Sequence, residues 1–238
     1  MRIKMTFKYD GSKFSGFQRL NNERTVQKEI ENALKTVFKK EIEIKGSGRT
    51  DAKVHANGQV AHFDIDNKVT DLKRKLNSLL MPDIVIKNIK EVKEDFHARH
   101  SVKKKEYVYK INLGPYQSSL NDYYFQPHFK LDIKLMKEAS KYMLGTHDFG
   151  NFISGKRDNS VTTIKSIEFV KLFDKLEIRF VGTGFYRYMV RNLVGALLEV
   201  GKCKVGLKTI DQMINNPNKE KTLPTAASEG LYLNRIWY

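Results

Sequence analysis

The chain has 238 residues, with 43 Lys and Arg against 27 Asp and Glu, which gives a formal net charge of +16. This length suits one sizeable domain or two small ones that share an interface. Hydrophobic residues make up 40% of the chain, and no apolar run approaches the roughly 20 residues that a membrane span needs. We therefore expect a soluble protein with no membrane partner, and the N-terminus lacks the apolar core of a secretory signal.

The surplus of positive charge indicates the class of partner. A charge this large repels itself unless a polyanion or counterions screen it. Residues 101–110, SVKKKEYVYK, interleave lysines with tyrosines that could stack on bases, which favours nucleic acid. A lysine-rich surface set by genome composition and a membrane-surface protein remain alternatives. The single cysteine, Cys203, excludes an internal disulfide and multi-cysteine zinc patterns, fits a reducing cytoplasm, and is expected to be a buried core thiol.

In the first half of the chain, segments with a period of two residues alternate with segments of helical period. Ile3, Met5, Phe7 and Tyr9 alternate with polar residues, as in a half-buried strand. The further predicted elements are a helix that starts after a Thr25 N-cap and reaches residue 38, short strands around 42–45 and 59–65, a helix over about 70–80 that Pro82 ends, and a strand over 84–89.

The second half repeats this order of elements. We predict a strand over 107–113, a helix over about 132–144, strands over 162–170 and 175–188, a helix with an apolar stripe over 189–198, and a final strand over 230–238. Two strand–helix–strand halves with a seam near residue 105 favour an α+β fold of two related lobes, 1–104 and 105–238. The expected architecture has mainly antiparallel sheets flanked by helices, with a basic cleft between the lobes.

A search for reactive groups leaves one carboxylate. The six histidines show no HExxH or other ligand spacing, so a catalytic metal is not expected. The glycine clusters lack the P-loop and Rossmann spacings, and no GxSxG nucleophile motif occurs. Asp51, in the stretch KGSGRTDAKVHANGQVAHFD, is the best remaining candidate. Its alternative role is that of an ordinary turn-forming aspartate.

Five segments, taken in order, resemble the tRNA pseudouridine synthase A family. They are FKYDGSKFSGFQR (7–19), GRTDAKVHA (48–56), DFHARHSVKKKEYVY (95–109), GFYRYMVRNLVGALLEVG (184–201) and AASEGLYL (226–233). The resemblance covers essentially the whole chain, and five ordered segments are far more specific than one RTD triplet. One departure is Lys53, where the family more often has glycine.

The resemblance implies the pseudouridine synthase fold and its reaction. A uridine in tRNA is detached at N1, the base is turned, and the ring is rejoined through C5. The implied targets are uridines 38, 39 and 40 of the anticodon stem-loop, and the implied enzyme is a cytoplasmic homodimer that uses no cofactor and no metal. Asp51 matches the catalytic aspartate, acting either as nucleophile at the ribose or as base on a sugar proton; the sequence leaves both open.

The resemblance also implies substrate-binding residues. The target base is stacked in the stem-loop, so it must be flipped into a pocket, and Arg49 resembles the arginine that assists this step; its alternative is a phosphate contact. Tyr107 matches the tyrosine that packs against the base, and its alternative is a core strand aromatic, a role that suits Tyr109 and Phe185 better.

Three further residues complete the implied site. Arg191 matches the arginine that pairs with the aspartate, and its alternative is an ordinary cation on a helix surface. His55 and Leu233 are expected to shape the pocket.

Two other functional classes remain consistent with the composition. A non-catalytic RNA-binding protein or chaperone would use the same basic surface and tyrosines without a carboxylate. A metal-dependent nuclease would need several acidic ligands, whereas the motifs around Asp51 are basic. The aspartate within RTD therefore favours the enzyme over the chaperone.

Overall fold

The computed structural model describes residues 1–155, 159–217 and 223–238 and contains two compact units. Unit 1 comprises Met1–Lys103 and Tyr232–Tyr238, and unit 2 comprises Lys104–Leu231. The last residues, which the sequence interpretation assigned to the second lobe, thus cluster with unit 1. The division into lobes 1–104 and 105–238 as functional domains stays a prediction.

Unit 1 is built on a mixed sheet in the order β4-β1-β3-β9, with β2 paired to β3. β1 runs antiparallel to both β3 and β4, and β3 meets β9 in a short parallel pairing at His55 with Tyr232 and Ala56 with Leu233. The strands are β1 (Arg2–Tyr9), β2 (Lys45–Gly46), β3 (His55–Asp64), β4 (Ile84–Val92) and β9 (Leu231–Trp237).

Two amphipathic helices supply the other half of the unit 1 core, α1 (Val26–Phe38) and α2 (Leu72–Leu80). The alternating side chains of β1 and the apolar stripe of α1 are both buried, as their periods predict. Thr25 occupies the N-cap position of α1, but its side chain makes no capping hydrogen bond. α2 ends at Leu80, just before Pro82, in agreement with the predicted end.

Unit 2 contains an antiparallel sheet in the order β5-β8-β7-β6. Its strands are β5 (Lys104–Asn112), β6 (Gly145–Asp148), β7 (Val161–Leu172) and β8 (Lys175–Gly182). Its helices are α3 (Ile133–Lys141), α4 (Met189–Gly201) and α5 (Leu207–Asn215). α4 is buried along almost its whole length, whereas α3 starts at the surface, where the carboxylate of Asp132 accepts the Leu135 N–H at 3.0 Å.

The mainly antiparallel α+β prediction is confirmed, and the structure corrects three details. β6 and α5 are additional elements; β6 is too short for alternation to be visible, whereas α5 has a readable stripe of Ile210, Met213 and Ile214. β8 ends at Gly182 rather than near residue 188. The prediction that Cys203 is a core thiol is wrong, because Cys203 is exposed in a left-handed turn (φ 57°) after α4. None of the described helices is long and apolar enough to cross a membrane.

A buried histidine in unit 1 gives the fold a predictable pH dependence. His62 on β3 is 2% exposed, its Nδ1 accepts the Ala98 N–H at 3.1 Å, and its ring lies 4.6 Å from that of His97. The pKa of His62 is lowered to about 4, mainly by burial and to a smaller extent by the nearby charges of His97 and Arg2. The neutral ring is therefore the form that the folded state stabilises.

We expect acidification to destabilise the protein through His62. The contribution of His62 to the free energy of unfolding is fully present above the unfolded pKa of about 6.5. It is lost as the pH falls towards 4, because the unfolded chain then binds a proton that the folded chain does not. Linkage gives a loss of about 2 kcal/mol at pH 5 relative to pH 7. Urea unfolding of wild type and of His62→Gln at pH 5 and pH 7 measures this loss. Equal pH dependence of the two proteins would contradict this assignment.

Candidate active site

Asp51 lies in the loop between β2 and β3, in unit 1. The Asp51 side chain is half-buried, whereas the neighbouring Ala52 and Lys53 are exposed. The Val54 N–H donates to the Asp51 carbonyl at 3.2 Å and closes a tight turn that leads into β3. The beginning of the loop is anchored as well, because the buried Gln59 donates its amide to the Gly48 carbonyl at 3.0 Å.

The segment that follows β1 fixes the backbone on both sides of Asp51. The Thr50 carbonyl accepts the Phe17 N–H at 3.1 Å, and the Lys53 N–H donates to the Phe14 carbonyl at 3.3 Å. The Thr50 hydroxyl is bonded to the hydroxyl of Tyr9 at 2.8 Å. Burial raises the pKa of Tyr9 to about 12, so the phenol stays neutral in this pair of hydroxyls.

Close approach of these two segments depends on glycine. Gly16 has a φ of 103°, and a Cβ at this position would lie 3.0 Å from the Thr50 carbonyl oxygen. A Cβ on Gly11 would lie 2.2 Å from the carbonyl oxygen of Val54. The DGSKFSGF stretch therefore supports the Asp51 loop, which explains why the two motifs occur together in one sequence.

Lys53 occupies a backbone conformation that suits glycine better. Its φ is 65°, in the left-handed region, which costs a side-chain-bearing residue roughly 1 kcal/mol. Glycine, which the family resemblance leads us to expect at this position, would adopt this φ without that cost.

We expect Lys53→Gly to raise the free energy of unfolding by up to about 1 kcal/mol, because the strain is removed while the unfolded chain gains some entropy. Chemical denaturation measures the change, with the solvent-exposed Lys73→Gly within α2 as a control that should be destabilised by about 1 kcal/mol. A loss of stability in Lys53→Gly comparable to that control would show that the left-handed φ carries no strain.

His55 and Leu233 are buried parts of unit 1. His55 is 2% exposed, and its Nδ1 lies 3.0 Å from the Gly11 nitrogen, whose N–H it accepts, and 3.4 Å from Oδ1 of Asp10. Its ring stacks on Tyr232 at 4.5 Å with an interplanar angle of 15°. Leu233 is fully buried and lies opposite Ala56. Both residues support the strand that follows the Asp51 loop, and their contact with substrate stays a prediction.

Arg49 is exposed and precedes Asp51 by two residues in the same loop. Unit 1 therefore brings together Arg49, Asp51, His55 and Leu233 in the loop and the paired strands β3 and β9. Tyr107 and Arg191 belong to unit 2.

Tyr107 lies on β5 and retains 9% exposure. Its ring meets that of Phe185 edge-on, with the ring centres 5.3 Å apart. Tyr109, two residues along the strand, is fully buried, and its hydroxyl donates to the Ala227 carbonyl at 3.0 Å. Burial raises the pKa of Tyr109 far above its usual range. Tyr109 is the fully buried aromatic of this strand, whereas Tyr107 is buried at its margin, where Phe185, after β8, packs against its ring.

Arg191 lies in the first turn of α4 and is partly buried. Its Nε–H donates to the Ala226 carbonyl at 2.8 Å, and its guanidinium lies over the ring of Tyr188, 5.0 Å from the ring centre. These contacts differ from those of an ordinary cation that extends into solvent from a helix surface. The segment AASEGLYL (226–233) therefore has a structural role, because its first residue, Ala226, binds the arginine of the segment VRN (190–192).

Among the residues that the structure describes, no group of three or more His, Cys, Asp or Glu side chains could hold a metal ion. The Asp51 loop itself presents a carboxylate and, two residues earlier, an exposed arginine, on a backbone fixed by hydrogen bonds.

Comparison with known proteins identifies the family. A family model described as tRNA pseudouridine synthase matches residues 5–101 and 139–238. A tRNA pseudouridine synthase A from Anoxybacillus flavithermus is 41% identical over 242 residues, covering 100% of this chain and 98% of the relative. A protein of the same name from Thermodesulfovibrio yellowstonii is 40% identical, with both chains covered completely. The chain belongs to the tRNA pseudouridine synthase family.

The matched ranges contain most of the residues proposed for the site. Arg49, Asp51, His55, Arg191 and Leu233 lie inside them, whereas Tyr107 lies between the two ranges. A solved structure of an archaeal box H/ACA sRNP Nop10–Cbf5 complex is also similar, with a TM-score of 0.39 and 14% identity over 82% of this chain and 43% of that chain. The match to the synthase family rests on the sequence relatives.

Proposed function

We propose that this chain is a tRNA pseudouridine synthase that isomerises uridines 38, 39 and 40 of the anticodon stem-loop. The observation that carries the proposal is the Arg49–Thr50–Asp51 turn, fixed by the segment after β1, in a chain that aligns over its full length with proteins named tRNA pseudouridine synthase A. We further propose that the enzyme acts as a cytoplasmic homodimer and needs no cofactor.

The reaction is an isomerisation, so it needs no oxidant and no second substrate. The bond between N1 and the ribose C1′ breaks, and a bond from C5 to C1′ forms. The proton that C5 loses is balanced by one that N1 gains. Asp51 supplies either the nucleophile that attacks the ribose or the base that removes a sugar proton.

The cationic and aromatic residues suit the handling of RNA. Arg49 is exposed beside Asp51 and is proposed to assist flipping of the target nucleotide. Tyr107 is proposed to pack against the flipped base. The net charge of +16 supports binding of the tRNA backbone. The pairing of Arg191 with the aspartate, which the family resemblance implies, stays a prediction.

The proposal is tested with purified protein and an unmodified tRNA transcript. Mass spectrometry or chemical mapping should detect pseudouridine at positions 38 to 40, and turnover should survive EDTA once the tRNA has been folded. Tight tRNA binding without pseudouridine would favour the RNA chaperone, and turnover that only added metal restores would contradict the metal-free mechanism. Sedimentation at micromolar concentration tests the homodimer.

A further inference from the structure

The start of α4 is bonded to a segment 35 residues later in the chain. The Ala226 N–H donates to the Arg191 carbonyl at 3.0 Å, and the Ala226 carbonyl accepts the Arg191 Nε–H at 2.8 Å. Next to this pair, the Thr225 hydroxyl donates to Oδ1 of Asn192 at 2.7 Å, and the Asn192 amide donates to the Phe152 carbonyl at 2.8 Å. Ala226 is therefore bonded both to the backbone and to the guanidinium of Arg191.

This close approach requires a helix surface without a side chain. Gly195 lies one turn after Arg191 and therefore on the same face of α4. A Cβ built on Gly195 would lie 1.9 Å from the carbonyl oxygen of Pro224 and 3.2 Å from the Ala226 nitrogen. The obstacle is backbone, so no change of rotamer could relieve it.

We infer that Gly195 is a positioning residue for the isomerisation. Without a side chain, it lets residues 224–226 approach α4 closely enough for Ala226 to orient the Arg191 guanidinium. The inference rests on the proposed function, since it assigns Gly195 an effect on turnover only through Arg191. A purely structural role would predict a change in stability with no specific effect on kcat.

The first test is Gly195→Ala, measured at a temperature where the variant is folded. We expect kcat for tRNA to fall about 10- to 100-fold, with KM within a few-fold of wild type, because a displacement of about 1 Å in a positioned group has an effect of that size. Gly201→Ala in the same helix is the matched control. Its Cβ would meet the flexible Met136 side chain at 2.8 Å, so kcat should stay near wild type. Wild-type kcat in folded Gly195→Ala would overturn the inference.

One further variant keeps the inference testable if Gly195→Ala folds poorly. Thr225→Val keeps the side-chain shape but removes the hydrogen bond to Asn192, and we expect kcat to fall about 2- to 10-fold. Unchanged kcat in this variant would count against a positioning role for the segment.

The decisive comparison uses an Arg191→Lys background. Lysine lacks the Nε–H bond to Ala226, so adding Gly195→Ala should lower kcat by less than about twofold further if the two residues act as one unit. An equal loss in both backgrounds would show that Gly195 acts independently of Arg191. Failure of the proposed function is seen separately, as a wild-type protein that forms no pseudouridine.

Discussion

Asp51→Asn should abolish pseudouridine formation while tRNA affinity stays within a few-fold of wild type. The amide keeps the size and the turn of the carboxylate, but it can neither attack the ribose nor accept a sugar proton at a useful rate. Most of the binding free energy comes from phosphate and shape contacts, which the substitution leaves in place. Single-turnover assays with excess enzyme, paired with filter binding at fixed ionic strength, measure the two quantities.

The matched control is Asp71→Asn. Asp71 is exposed before α2 with a φ of 54°, a conformation that asparagine tolerates well, so both turnover and stability should be unchanged. Pseudouridine formation by Asp51→Asn near the wild-type rate would remove Asp51 from the mechanism. Loss of turnover together with loss of tRNA binding or of the folded state would instead show that the loop had been disrupted.

Tyr107→Ala should lower turnover strongly, whereas Tyr107→Phe should keep substrate binding. An aromatic ring stacked on a base contributes roughly 1 to 3 kcal/mol, and alanine would lose that contact. Phenylalanine would keep the ring and its edge-on contact with Phe185, so a slow Tyr107→Phe enzyme with normal affinity would indicate that the hydroxyl moves a proton.

The effect of Tyr107→Ala is judged against the same substitution at a tyrosine outside the proposed site. Tyr142 is 39% exposed at the end of α3, and Tyr142→Ala should retain wild-type turnover. If Tyr107→Ala is as active as Tyr142→Ala, then Tyr107 is part of the scaffold of β5 and the base contact must be assigned to another residue.

The α+β class and most strands and helices followed from the sequence because they depend on local periodicity. The alternation of β1 and the apolar stripes of α1 and α4 are recorded in neighbouring residues, and burial then selects the matching element. The ordered motifs, including Arg-Thr-Asp, likewise indicated the family without coordinates, and the sequence relatives agree with that assignment.

The tertiary structure decided how the candidate residues are oriented. The bonds from Phe17 to Thr50 and from Ala226 to Arg191 join segments that are separated by 33 and 35 residues, and no local pattern records such a pairing. The same limit explains the Cys203 error, since helical periodicity does not reveal that the chain turns into the left-handed region just after α4. Sequence by itself determined most of the elements and the family to which the chain belongs. Only the folded chain determined which backbone groups fix Asp51 and Arg191, because that depends on close approach at positions such as Gly16 and Gly195.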